Sequence, residues 1–243
     1  LKWALPPGWT AGEPLYPVPQ TLLIAGLMNH VYEREYALLV PLKLSANATP
    51  GSRQPVTVDA QWLACTDEIC VPEQARLETT VKIGSPQASM KGAPDPRFDL
   101  WRTRLPAPLG AQAHFVREGN AIRLGIPLPA NLKLEEPHFF ASEDKLVDYP
   151  AAQTFRRKGD LLIIELQRPK IMAREPQQLT GVLRLNAAGD GLNIAAVPGT
   201  VPAGGEPIGI AAPASTASLL LLLIAALAAG LLLNVMPCVF PIL

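Results

Sequence analysis

From Val56 to Ile83 the chain alternates with a period of two on both sides of a short polar interruption. That pattern constrains its fold more than any other stretch. Upstream, Val56, Val58, Ala60, Trp62 and Ala64 alternate with Thr57, Asp59, Gln61, Leu63 and Cys65. Downstream, Ala75, Leu77, Thr79, Val81 and Ile83 alternate with Arg76, Glu78, Thr80 and Lys82. Side chains two apart share a face of a strand, so the pattern predicts two antiparallel strands joined by a tight loop. The interruption is Cys65-Thr-Asp-Glu-Ile-Cys70, which sets the two cysteines opposite each other at the mouth of the hairpin. Cross-strand partners lie about 5.5 Å apart at Cα, within the span of a disulfide.

Such a bridge has three readings. As a structural staple it closes a very small ring, for which loop entropy gives only about 2 kcal/mol. As a redox pair it stands on a short polar loop that leaves both sulfurs open to attack. Asp67, Glu68 and Glu73 crowd the pair with negative charge, which raises thiol pKa values and slows either cysteine as a nucleophile. The pair would then be a passive partner, its disulfide attacked by another protein's activated thiolate. A zinc site is the third reading, and two cysteines without a nearby Cys or His pair fit it poorly.

The run Trp62-Leu-Ala-Cys65 followed by Cys70-Val-Pro-Glu73 resembles the redox hairpin in the N-terminal periplasmic domain of the DsbD family of thiol:disulfide interchange proteins. The ScsB-like branch, linked to copper tolerance, is the nearer likeness: Leu5-Pro-Pro-Gly-Trp9, Tyr16-Pro-Val-Pro19 and Glu136-Pro-His-Phe-Phe140 are similar to segments of it. Asn234-Val-Met-Pro-Cys238-Val-Phe-Pro-Ile-Leu243 resembles the first membrane segment of the family's electron-carrying core. The resemblance implies a protein-disulfide reductase without a bound cofactor, with Cys65, Cys70 and Cys238 as the working residues. It also implies a route: cytoplasmic thioredoxin reduces the membrane domain, and the periplasmic part passes electrons to thiol–disulfide proteins. Implied clients are disulfide isomerases, cytochrome c maturation factors and copper-stress thiol proteins. In the family register, residues 25–30 form a cap over the redox cysteines.

Composition agrees with an exported β-protein. The 26 prolines among 243 residues disfavour long helices in the soluble part and favour short strands with many turns. Zero net charge gives no electrostatic case for nucleic acid. The three cysteines make one pair and one remote residue, Cys238, in an apolar segment. No basic, apolar leader precedes the fold, and the chain is expected to be a fragment at both ends.

Residues 1–20, rich in proline and carrying Trp3, Trp9 and Tyr16, are expected to lie extended over a sheet with their aromatics in its core. Strands are expected at residues 21–24 and 36–44 around a linker, and Leu27 and Met28 have core packing as an alternative to a cap role. His30, His114 and His138 are expected to be structural. After a turn-rich boundary the alternation restarts at residues 113–117, 121–126, 161–167 and 181–185, with Gly119 and Gly159 in hairpin turns.

The expected fold is mainly β: two immunoglobulin-like β-sandwich domains followed by a transmembrane α-helix. Residues 1–85 form the redox domain, 86–197 the second sandwich, 198–217 a Pro/Gly/Ala linker, and 218–243 the membrane helix. Residues 218–233 are uninterrupted apolar sequence, and together with residues 234–243 they reach the roughly 20 residues that a span requires. No Lys or Arg follows Arg184, so the positive-inside rule favours a non-cytoplasmic side for the soluble part. The resemblance implies a bacterial inner-membrane protein with this part in the periplasm. The alternative function is a membrane-anchored structural or adhesion sandwich with an inert bridge. A reduction potential below about −300 mV marks the inert case.

Overall fold

The computed structural model describes residues 1–84, 95–169, 177–208 and 226–227. The first part holds β1 (Lys2–Ala4), β2 (Thr10–Ala11), β3 (Gln20–Ile24), β4 (Leu27–Val31), β5 (Leu42–Lys43), β6 (Arg53–Cys65) and β7 (Cys70–Lys82). After it come the helix α1 (Pro96–Thr103), β8 (Ala107–Pro108), β9 (Ala113–Glu118), β10 (Ala121–Pro127) and β11 (His138–Ala141). The last strands are β12 (Thr154–Lys158), β13 (Leu161–Gln167), β14 (Leu179–Arg184), β15 (Gly191–Pro198) and β16 (Glu206–Pro207). The chain is mainly β, as its alternation and prolines require.

The ribbon β6–β7 is in unbroken register from Arg53↔Lys82 to Cys65↔Cys70. Its base is packed and its tip is not. Val56 is 4% exposed and joins Trp9 and Ile83 in a small core, with Trp3, Leu5, Leu42, Ala48 and Val81 against it. β1 pairs with β6 only from Thr57 to Asp59. Beyond Ala60 every residue to Gln74 is exposed, except for half-buried Cys65 and Cys70. The proline-rich start does lie extended, and Trp9 is buried; Tyr16, however, is 50% exposed and does not anchor the core.

Residues 20–44 depart from expectation. The segment read as a linker contains β4, which pairs with β3 in a hairpin. Ala25 and Gly26, with φ of 48° and 81°, make the two-residue turn that matches strand twist. Conversely, residues 36–44 are not one strand: they hold a single bridge at Leu39 and the two-residue β5. Alternation there is too short and too interrupted by Pro41 to support a ladder.

The second part is a nine-stranded sheet in the order β11-β14-β15-β9-β10-β13-β12-β16, with β8 beside β15. Its strands enclose a core that includes Phe115, Ile122, Leu124, Phe139, Leu162, Leu166 and Leu183. Gly119 and Gly159 sit in the hairpin turns at φ of 54° and 58°, as their spacing predicts. The helix α1 was not foreseen. Asp95 caps it by accepting from the Arg97 N–H, and Pro96 opens it where the missing donor costs nothing.

No helix among the described residues is long and apolar enough to cross a membrane. The expected membrane helix at 218–243 lies outside the described residues, apart from 226–227.

Candidate active site: a disulfide at an exposed ribbon tip

Two strands in strict register deliver the cysteines to each other. Cys65 and Cys70 are bridged, with Cα atoms 4.0 Å apart. This is closer than the separation of a hydrogen-bonded cross-strand pair, and the loop explains why. The Thr66 N–H donates to the Ile69 carbonyl at 2.8 Å, which makes Thr66 and Ile69 the bonded pair and leaves Cys65 and Cys70 at the closer, non-bonded position. The Thr66 Oγ1 accepts from the N–H groups of Glu68 (3.2 Å) and Ile69 (3.1 Å), closing the loop around Asp67-Glu68. Asp, Ser and Thr often close turns in this way, so the Thr after Cys65 was a signal that sequence reading passed over.

The period-two register divides the tip into two faces. Leu63 and Pro72 share the face of the sulfurs, while Ala64, Val71, Trp62 and Glu73 lie on the other. The expectation that Glu73 crowds the cysteines is thereby corrected: its carboxylate accepts from the Trp62 indole N–H at 2.9 Å on the opposite face. Asp67 and Glu68 remain at the apex and are exposed. Around them Leu63 (61%), Ile69 (59%) and Val71 (49%) are open to solvent, so the tip is apolar with an acidic point.

The structure describes Cys65 and Cys70 together and does not describe Cys238. Among the described residues no group of three or more His, Cys, Asp or Glu is arranged to hold a metal.

Residues 25–30, expected as a cap, form the turn and much of the second strand of the β3–β4 hairpin. The His30 ring stands edge-on to Phe140, with centroids 4.9 Å apart, and 5.7 Å from Tyr149. The hairpin is thus seated on the second sheet. Leu27 at its tip is 71% exposed, which excludes core packing for that residue, whereas Met28 is half-buried. Nearby, the Tyr32 hydroxyl donates to the Pro17 carbonyl at 2.9 Å, and its ring stacks on Tyr36. His138 packs against the same Phe140 ring at 4.6 Å. Sequence reading left the two histidines as unconnected structural residues, and nothing in their spacing, 30 and 138, links them.

Residues 1–82 match the family model for the N-terminal part of the thiol:disulfide interchange protein DsbD. The matched span contains the whole β6–β7 ribbon and both of its cysteines, ending at Lys82 where β7 ends. In fold the chain is similar to the N-terminal periplasmic domain of ScsB from Proteus mirabilis, at 13% identity and a TM-score of 0.52. That likeness covers 82% of this chain and 78% of the other, so it extends past the matched domain into the second sheet. Curated proteins give no match. The family match is confined to residues 1–82, and the likeness to ScsB is one of fold.

Proposed function

We propose that the chain is the periplasmic thiol–disulfide exchange module of a membrane electron-transfer protein. The observation that carries this reading is the bridge Cys65–Cys70 at an exposed tip, inside the span that matches the DsbD N-terminal family. In the reducing direction, a donor thiolate attacks one sulfur of the bridge, forming a mixed disulfide and releasing the other sulfur as a thiol. The donor's second thiol resolves the mixed disulfide, leaving both cysteines reduced and the donor oxidised. The reverse sequence hands the two electrons to a client disulfide. Exchange needs both sulfurs reachable, and the tip beyond Ala60 meets that need because no core packs against it.

The titration of the purified chain in glutathione buffers, followed by thiol labelling, tests this reading. A working couple opens and closes within the range spanned by thiol carriers, about −120 to −270 mV. A pair that stays oxidised to below about −300 mV is a staple, and the exchange reading falls.

The donor in this proposal is the protein's own membrane domain, fed by cytoplasmic thioredoxin, with Cys238 as its first cysteine. Pro237 and Pro241 flank Cys238 and disfavour a regular helix there. Broken helices are tolerated in a bilayer where protein or water satisfies the freed carbonyls, and such a break gives a soluble thiol access. Replacing Cys238 by Ala in the full-length protein should leave Cys65 and Cys70 oxidised when thiols are trapped in cells. A soluble pair as reduced as in the parent removes Cys238 from the route.

A further inference from the structure

We propose that Thr66 is a positioning residue for the exchange reaction, holding the loop closed so that Cys65 and Cys70 stay within bonding reach when reduced. The inference rests on the reading of the pair as a working couple and adds what sets its potential.

Hydrogen bonds made by this one residue span the loop. The Thr66 Oγ1 accepts from the N–H groups of Glu68 and Ile69, and the Thr66 N–H donates to the Ile69 carbonyl. Thr66 adjoins Cys65 and Ile69 adjoins Cys70, so the Thr66–Ile69 bonds tie together the residues next to the two cysteines. The side chain is exposed, and its described hydrogen bonds stay within the loop.

In the oxidised form the covalent bridge closes the ring by itself. On reduction the disulfide takes two electrons and two protons from a donor, here two glutathione thiols that become glutathione disulfide. The ring then has only non-covalent restraints. How readily the two thiols close again depends on their effective concentration at each other, which rises as the open loop loses conformations. The Thr66 hydroxyl restrains the loop in the reduced form, so it favours the disulfide and lowers the potential. A lower potential makes the reduced pair a stronger donor to clients. Removing the hydroxyl leaves the Glu68 and Ile69 N–H groups to water and frees the dithiol.

The test compares the purified parent chain with its Thr66→Ala and Thr66→Ser variants in glutathione buffers. The loop is exposed and both variants are expected to fold, which far-UV circular dichroism checks. The Ala variant should show a three- to tenfold smaller equilibrium constant for disulfide formation, a potential about 15–30 mV less negative. The Ser variant, which keeps the acceptor oxygen, should return to the parent's value. An Ala variant at the parent's potential overturns the assignment, and so does a Ser variant that fails to restore it. If the parent's own pair does not open in these buffers, the exchange reading falls first and takes the role of Thr66 with it. The parent's curve therefore separates the two failures.

Discussion

Cys65 and Cys70 are half-buried at a tip where every neighbour from Gln61 to Gln74 is exposed. The alternation Val56 to Cys65 and the spacing of five between the cysteines made this pairing legible in the sequence. What the structure adds is the partner of Glu73, which pairs with Trp62 on the face away from the sulfurs. An odd separation along a strand puts two side chains on opposite faces, so the three-residue step from Cys70 to Glu73 already carried the face of Glu73. A stability prediction belongs here. The bridge closes a ring between residues five apart, with no core behind it, so replacing both cysteines by Ala should cost no more than about 2 kcal/mol in urea unfolding. A loss well beyond that would mean that the bridge is a staple for the ribbon.

The β3–β4 hairpin meets β11 through rings. His30 and His138 both contact Phe140, with Tyr149 beside His30 and the Arg184 guanidinium 5.8 Å from the Phe140 centroid. The Gln153 amide lies 3.2 Å from the His138 Nε2 and bonds both the N–H and the carbonyl of Phe139. Burial, then the Arg184 charge and His30, push the His138 pKa down from 6.5 to about 4. The rings packed on one side of His30 lower its pKa by desolvation too, although the residue as a whole is exposed. The other charged groups at this junction are Glu136 beside Arg184, and Asp144 and Glu143 beside Tyr149.

His138 is therefore neutral in the folded state near neutral pH, and unfolding lets it take up a proton at the higher, ordinary value. A lowered folded pKa contributes stability that is fully present above 6.5 and is lost as pH falls through that value toward about 4. Urea midpoints measured at about pH 7 and about pH 4.5 should fall with pH, and His138→Asn should flatten the fall. Equal midpoints in the parent would refute the linkage. None of this was legible in the sequence, because a histidine's neighbours are set by which strands meet.

Across the whole molecule, the sequence by itself determined the class and four strands of the second sheet, β9, β10, β13 and β14. Alternation at 161–167 marks β13, and the glycines at 119 and 159 mark two of its turns, because period and turn chemistry are local properties. The tight loop and the pairing of Cys65 with Cys70 were local in the same sense. Strands that alternate weakly, such as β4, β12 and β15, emerged only in three dimensions, where their ladders are completed by their partner strands. The tertiary structure alone decided that the ribbon's packing stops at Ala60, since β1 and the Trp9–Val56–Ile83 cluster reach no further. It alone seated the hairpin containing residues 25–30 on Phe140 and Tyr149. Burial and contact are sums over distant residues, and a one-dimensional pattern records only which side of a strand or helix a residue faces.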